Sequence, residues 1–96
     1  MIYASLNYRG EYSSHHRLIY RILKANFDNV REGLQGDSWI EVSANNQRVS
    51  VDSFTSLKHE VKGRDTDEEL VNEVIEVLRR RLNVTIINPP ESEAHE

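Results

Sequence analysis

The chain has 96 residues, of which 38% are hydrophobic and 29% are charged. This length suits one compact domain, and the composition is globular rather than low-complexity or collagen-like. Sixteen acidic against twelve basic residues give a net charge of −4, so the chain as a whole does not attract nucleic acid or an anionic membrane. Cysteine is absent, which excludes disulfides, thiolate metal sites and cysteine nucleophiles.

The first thirty residues predict a strand and then a helix. Residues 1–8 alternate between apolar and polar side chains, and Tyr3 falls on the outward face of the expected strand. Its core-facing residues are Ile2, Ala4 and Leu6. Ser13 and Ser14 can cap a helix that ends near Asn26. The apolar stripe of that helix is Leu18, Ile19, Ile22 and Leu23.

The central segment predicts a β-hairpin. Residues 39–44 and 47–52 alternate on either side of residues 45–46, two asparagines that tolerate the positive φ of a two-residue turn. The facing pairs would be Val42 with Val49, Ile40 with Val51, Ser43 with Arg48, and Glu41 with Ser50. A slip of one residue would mix apolar with polar partners, so the register is predicted too. Upstream, residues 29–32 predict a short edge strand before a turn at residues 33–36.

The second half predicts a strand, a helix and a final strand. Residues 55–62 alternate as a strand does, although their apolar residues also fit a short helix. Thr66 and Glu69 have the spacing of a capping box, and the arginines at 79–81 suit the negative end of the helix dipole. The buried side of this helix would be Leu70, Val71, Val74, Ile75, Leu78 and Leu82. Residues 84–87 are rich in β-branched side chains and predict the last strand.

Together these elements predict a single α+β domain over residues 1–88, followed by an acidic tail over residues 89–96 that we expect to be disordered. The order β-α-β-β-(β)-α-β, with two helices on one face of a mainly antiparallel sheet, is that of a ferredoxin-like two-layer sandwich. No segment reaches the roughly 20 apolar residues that span a membrane, and the amino terminus lacks the features of a secretory signal. We therefore expect a cytoplasmic protein without membrane contact.

No motif predicts catalysis, a cofactor or a metal. His15 and His16 point about 100° apart on a helix, so they cannot chelate one ion as an i, i+4 pair does. We expect His15 to be partly buried beside Leu18 and His16 to face water. His59 lies on an apolar strand face without a visible partner that would make it a general base. The serines and the four glycines form neither a nucleophile elbow nor a phosphate loop.

The sheet face opposite the helices is the more informative candidate site. The outward residues that we expect to bind a partner are Tyr3, Trp39, Glu41 and Arg48. Aromatic rings and arginine among mixed charges are typical of protein interfaces. We therefore predict a small non-enzymatic interaction or regulatory module that contacts a protein partner or a second copy through this face or a strand edge. The alternative is that Trp39 only plugs the end of the sheet.

Two other functions remain as alternatives. The element order resembles the small ferredoxin-like endoribonucleases, which include antitoxins and CRISPR spacer-acquisition nucleases. The resemblance implies a nuclease or antitoxin-type regulator, although Asn7 and Tyr8 stand where the spacer-acquisition family has a metal-binding Asp. Candidate nucleic-acid contacts are His15, Arg17, Arg21, Lys24 and His59. The net negative charge disfavours this function, and the lack of glycines at the helix starts disfavours a small-anion site.

Overall fold

The structure, a computed structural model, describes residues 1–93. Its elements are β1 (Ile2–Asn7), α1 (Tyr12–Asn26), β2 (Val30–Gln35), β3 (Asp37–Ala44), β4 (Gln47–Asp52), β5 (Glu60–Lys62), a 3₁₀ turn (Asp65–Asp67), α2 (Glu68–Arg79) and β6 (Asn83–Glu91). The six strands form one antiparallel sheet in the order β2-β3-β4-β5-β1-β6. The predicted α+β class is thus confirmed, with the first and last strands side by side.

Both helices pack against the same face of the sheet and against each other. The sheet contributes valines and isoleucines that are fully buried, and the helices contribute their predicted apolar stripes. The core residues are Ala4, Leu6, Ile19, Leu23, Ile40, Val42, Val49, Val51, Val61, Val71, Val74 and Leu78. Leu18 lies at the margin of the stripe and remains 37% exposed. Burial of this shared face is what holds the two layers together.

The predicted hairpin and its register are confirmed. Asn45 and Asn46 adopt φ values of 51° and 65°, as a two-residue turn of this type requires. All four predicted pairs are observed: Val42 with Val49, Ile40 with Val51, Ser43 with Arg48, and Glu41 with Ser50. The prediction succeeds because each pair depends on residues close in sequence.

The predicted outward orientation of Tyr3 is wrong. Ile2 lies opposite Lys62 whereas Ala4 lies opposite the next residue, Val61, so β1 contains one extra residue here. This bulge interrupts the alternation that the prediction assumed. Tyr3 is only 7% exposed and belongs to the core, and its hydroxyl donates a hydrogen bond to the carbonyl of Arg64 at 3.2 Å.

Several predicted boundaries are also wrong. Only Glu60–Lys62 of the expected strand over 55–62 pairs with neighbours, and residues 53–59 form a loop. Strand β2 continues through Gly33 to Gln35, so the turn is confined to Gly36 at φ +80°. The last strand continues through both prolines to Glu91 because an edge strand does not need every N–H. The tail prediction for residues 94–96 lies outside the described residues.

The start of α2 differs from the predicted capping box. The helix begins at Glu68, and the side chain that organises its start is the buried Asp67. Its carboxylate accepts hydrogen bonds from the backbone N–H groups of Arg48 at 3.1 Å and Arg64 at 2.9 Å, and from Nε of Arg64. Burial alone would raise the pKa of Asp67, but these donors outweigh burial and lower the pKa.

We expect Asp67→Ala to lower the free energy of unfolding by about 3 kcal/mol, because two backbone amides would lose their acceptor. For a chain of this length that is a decrease in Tm on the order of 15 °C, measured by calorimetry. Asp65→Ala is the matched control, since Asp65 is exposed and accepts only the N–H of Thr66. Equal effects of the two substitutions would contradict the role of Asp67.

Candidate functional site

A continuous chain of hydrogen bonds links buried polar side chains between α1 and the sheet. We call it the His–Ser–His chain. Its members are Tyr8, His59, Ser38, His16 and Glu32. The atoms in contact are Tyr8 Oη with His59 Nδ1 at 2.7 Å, His59 Nε2 with Ser38 Oγ at 2.7 Å, Ser38 Oγ with His16 Nδ1 at 2.5 Å, and His16 Nε2 with Glu32 Oε1 at 2.7 Å. Ser38 and His59 are completely inaccessible to solvent, and His16 is nearly so. The chain thus brings together two imidazoles, two hydroxyls and a carboxylate, which are groups that can donate and accept protons.

Each member is held by an element with its own backbone pairing. Ser38 is the second residue of β3, where its N–H donates to Oγ of Ser53 and its carbonyl accepts from the N–H of Ser53, both at 3.0 Å. The carbonyl of His59 accepts from the N–H of Leu6, which fixes the end of the loop against β1. His16 sits one turn before Ile19 on the buried side of α1. The chain therefore ties α1, β2, β3 and the loop at residues 53–59 to one serine.

One set of neutral tautomers satisfies every polar atom of the chain. Tyr8 O–H donates to Nδ1 of His59, and Nε2–H of His59 donates to Oγ of Ser38. Ser38 O–H then donates to Nδ1 of His16, whose Nε2–H donates to the Glu32 carboxylate. The backbone N–H of His59 supplies the remaining donor to Tyr8 Oη at 3.1 Å. All donation runs toward Glu32, so each bond reinforces the next.

The buried position of His59 keeps its imidazole neutral. Burial, together with the nearby imidazoles of His16 and His15, lowers the pKa of His59 from 6.5 to about 4. Burial likewise raises the pKa of the Tyr8 hydroxyl, against a smaller opposing effect of its backbone hydrogen bond from His59. Both shifts favour the uncharged forms that the hydrogen-bond pattern requires.

We expect His59 to make the protein sensitive to acid. The unfolded chain binds a proton at His59 near pH 6.5, whereas the folded protein binds it only near pH 4. The free energy of unfolding therefore decreases as the pH falls from 6.5 to 4, by up to about 3 kcal/mol, and His59 has no effect above this range. Chemical denaturation at a series of pH values measures the decrease.

His59→Gln is the matched variant for this measurement, because its side-chain amide can still contact Ser38 but does not titrate between pH 4 and 6.5. The variant should lose most of the pH dependence in that range, even if it is less stable at pH 7. An unchanged pH profile in His59→Gln would show that the acid sensitivity comes from other groups.

The His–Ser–His chain has an acid, a base and a hydroxyl in the order of a catalytic triad, but it has no opening that would admit a substrate. Glu32, His16 and Ser38 stand as acid, base and hydroxyl, the arrangement that activates a nucleophile. Ser38 is fully buried, however, and both of its sides are occupied by imidazoles. A carbonyl carbon has no path to Oγ in this conformation. In this conformation the His–Ser–His chain joins α1 to the sheet and stabilises the fold.

Sequence reasoning missed most of this chain. His15 is partly buried, as expected, but the expectation that His16 faces water is wrong, since His16 is buried. Both histidines share helical spacing with apolar residues, so periodicity alone does not distinguish them. The spacing of His16 to Ile19 and Leu23 was a signal for burial, but nothing local pointed to Ser38 as its partner.

The predicted partner-binding residues other than Tyr3 share the open face of the sheet. Trp39 is half-buried, and its indole occupies the space above Gly33, where a Cβ would lie 2.5 Å from Cε2 and 2.7 Å from Cζ2. Glu41 lies between Arg31 and Arg48, with N···O distances of 3.7 Å and 3.8 Å. Such exposed ion pairs contribute little to stability, so these charges are available to a partner. Their role in binding stays a prediction.

The alternative nucleic-acid residues fall into two groups. His15 and His59 both contact Tyr8, the first by ring stacking at 3.9 Å between centroids and the second by the hydrogen bond described above. The Nε2 atom of His15 also contacts the carbonyl of Arg9 at 2.6 Å. The basic residues of α1, namely Arg17, Arg21 and Lys24, are exposed and lie apart from these histidines.

Comparison with protein-family models, with curated proteins and with solved structures finds no match to this chain. Within residues 1–93, no three His, Asp or Glu side chains gather closely enough to hold a metal ion. No helix in this described part is long and apolar enough to cross a membrane.

Proposed function

We propose that this protein is a small, non-enzymatic interaction module that pairs with a second copy of itself through the free edge of β2. The observation that carries the proposal is that the outer edge of β2 pairs with no other strand of residues 1–93, and that five of its six residues are exposed or only partly buried. Unpaired strand edges present N–H and C=O groups that template the addition of another strand.

The other edge of the sheet is less suited to strand addition. Ile2 pairs with Glu91 and Ala4 with Ile86, so β6 advances five residues where β1 advances two. The resulting bulge contains Pro89 and Pro90, which have no N–H to donate. Bulges and prolines are the devices that protect edges from pairing. Strand β2 has neither, and its Leu34 is 45% exposed.

The hydrogen-bond pattern identifies the groups that β2 offers. The N–H of Ser43 donates to the carbonyl of Asn29 at 3.0 Å, so these two residues form a hydrogen-bonded pair just before β2. Such pairs alternate along an antiparallel ladder. The N–H and C=O groups of Val30, Glu32 and Leu34 consequently point away from β3 and toward the free edge.

A symmetric pairing centred on Gly33 fits these groups best. It would place Gly33 opposite its own copy, Glu32 opposite Leu34 of the second copy, and Arg31 opposite Gln35, with no like charges facing each other. Centring the pair on Glu32 or Arg31 would instead oppose identical charges. The Trp39 indole already leans over Gly33 toward this edge. Two indoles would therefore approach each other above the paired glycines, on the open face that contains Glu41 and Arg48.

The same proposal extends to fold type and location. The neighbouring strands β4-β5-β1-β6, with α1 and α2 on one face, support a ferredoxin-like sandwich, which β2 and β3 would extend at one edge. A cysteine-free composition supports a cytoplasmic module, since disulfides mark oxidising compartments.

We expect Leu34→Pro to weaken dimerisation by about 30-fold. Each copy would lose one intermolecular hydrogen bond, and two bonds at about 1 kcal/mol each give this factor. Sedimentation equilibrium over a range of concentrations measures the Kd. Leu34→Ala is the control, because it removes the side chain but keeps the amide and should weaken the dimer less. A wild-type chain that stays monomeric at millimolar concentration would disprove the proposal.

We also expect Trp39→Ala to weaken dimerisation at least tenfold while the fold is retained. The substitution removes the aromatic contact over the glycines and leaves the backbone edge intact. Far-ultraviolet circular dichroism checks the fold, and dilution of the wild-type protein should change the emission of Trp39, the single tryptophan. If Trp39→Ala dimerises like the wild type, Trp39 only covers the sheet. Tyr3 is unsuitable for this test because its substitution would disturb the core.

A further inference from the structure

The two helices enclose a cleft that three arginines border. Arg21 lies in the middle of α1, and Arg80 and Arg81 directly follow the last residue of α2. We call this the arginine cleft, and its volume is about 310 Å³. The remaining lining residues are Leu18, Ile22, Ala25, Asn26 and Val77. The sequence separates the arginines by about sixty residues, and the antiparallel packing of the helices brings them together.

Among the described residues, no carboxylate lines the cleft itself. Helix α1 contains no Asp or Glu over its whole length. The nearest acidic residues of α2 are Glu73 and Glu76, which line an adjoining cleft with Arg80, and Glu76 lies 3.5 Å from Arg79. Among residues 1–93, no carboxylate forms an ion pair with Arg21, Arg80 or Arg81. The cleft is therefore a local positive patch on a chain whose net charge is −4.

The helix dipole explains only part of this patch. Basic residues are favourable at the end of α2, and Arg79 already occupies its last turn. Arg21 lies in the middle of α1, where the dipole favours neither sign of charge. Arg17 and Lys24 lie one turn to either side of Arg21 and are exposed. They extend the positive charge over a row of about 10 Å along α1.

We propose that the arginine cleft and the adjoining row of α1 bind the phosphate backbone of double-stranded nucleic acid without reading its sequence. Arginine forms paired hydrogen bonds with phosphate oxygens, and a row of cations matches a repeating anion better than a ligand with one charged group. No aromatic ring of residues 1–93 lines the cleft, so the described surface offers unpaired bases no place for stacking there. A duplex presents its phosphates on the outside, so it can bind without a surface for base stacking.

This surface is separate from the β2 edge. The cleft lies between the helices, whereas the proposed pairing uses the opposite side of the sheet and its free edge. Binding to a duplex therefore does not require self-association, and the monomeric Leu34→Pro variant provides an independent check. Its affinity per site for a short duplex should be that of the wild type.

The test is fluorescence anisotropy with labelled 12-base-pair DNA and RNA duplexes at 20 to 200 mM salt. With three to five phosphate contacts, the logarithm of the binding constant should decrease with the logarithm of salt concentration with a slope between about −2.7 and −4.5. A preference for one duplex would identify the source of the phosphates, and equal binding would fit backbone contact alone. No binding at 20 mM salt would overturn the proposal.

Matched variants distinguish the cleft from general charge. The triple variant Arg21→Gln, Arg80→Gln, Arg81→Gln should bind at least tenfold more weakly at 20 mM salt and make the slope shallower by about 2 to 3. A second comparison uses single variants, with Arg9→Gln as the control at an exposed position outside both proposed surfaces. It changes the net charge as much as Arg21→Gln does, and it should lose less than about twofold whereas Arg21→Gln should lose at least about threefold. Equal losses in the two single variants would overturn the cleft as the site. Polyglutamate that competes as well as the duplex would indicate an acidic protein partner and would also overturn it.

Discussion

One end of this structure depends on the hydrogen bonds of the Ser38 hydroxyl. Its two hydrogen bonds to His16 and His59 join helix α1 to the loop before β5, where the apolar core gives way to polar side chains. A serine that is completely inaccessible must have both donor and acceptor capacity satisfied, because an unpaired buried hydroxyl is costly. Within the described residues, no buried side-chain nitrogen or oxygen lacks a partner. The polar end of the core is thus as fully specified as its apolar centre.

The hairpin at residues 39–52 shows what the sequence could predict, and Tyr3 shows what it could not. In the hairpin, each side chain and its partner are separated by a few residues, so one alternation pattern fixed the turn, the register and both faces. The bulge beside Tyr3 depends on how β1 meets β5 and β6, which come from distant parts of the chain. The same holds for the His–Ser–His chain, where Tyr8 and His59 are 51 residues apart. Chemistry assembled across such distances leaves no local pattern.

The open face of the sheet is not uniformly open. Lys62 and Asp52 lie on it with an N···O distance of 2.6 Å, yet both are buried, because the loop at residues 53–59 and Glu93 cover them. Burial alone would lower the pKa of Lys62, but Asp52 and then Glu93 outweigh it and raise the pKa. A charge so enclosed cannot serve an interface. Trp39 and Arg48 on the same face remain partly or fully exposed, so a partner of this face would contact them rather than the Lys62–Asp52 pair.

Strand β2 has three separate structural roles because its successive residues point in different directions. Glu32 turns its side chain toward α1 and ends the His–Ser–His chain, while its neighbour Gly33 leaves room for Trp39 on the opposite face. The backbone N–H of Leu34 points outward from the free edge of the strand, away from β3. The groups that fill these roles point to the helix side, to the open face and to the free edge, so substitutions at adjacent positions affect different properties. A change at Glu32 acts on the buried chain, a change at Gly33 displaces the indole, and a change at Leu34 alters only what the edge can bind. Strand β2, which has a single buried residue, is therefore the strand on which the buried chain, the exposed face and the edge all depend.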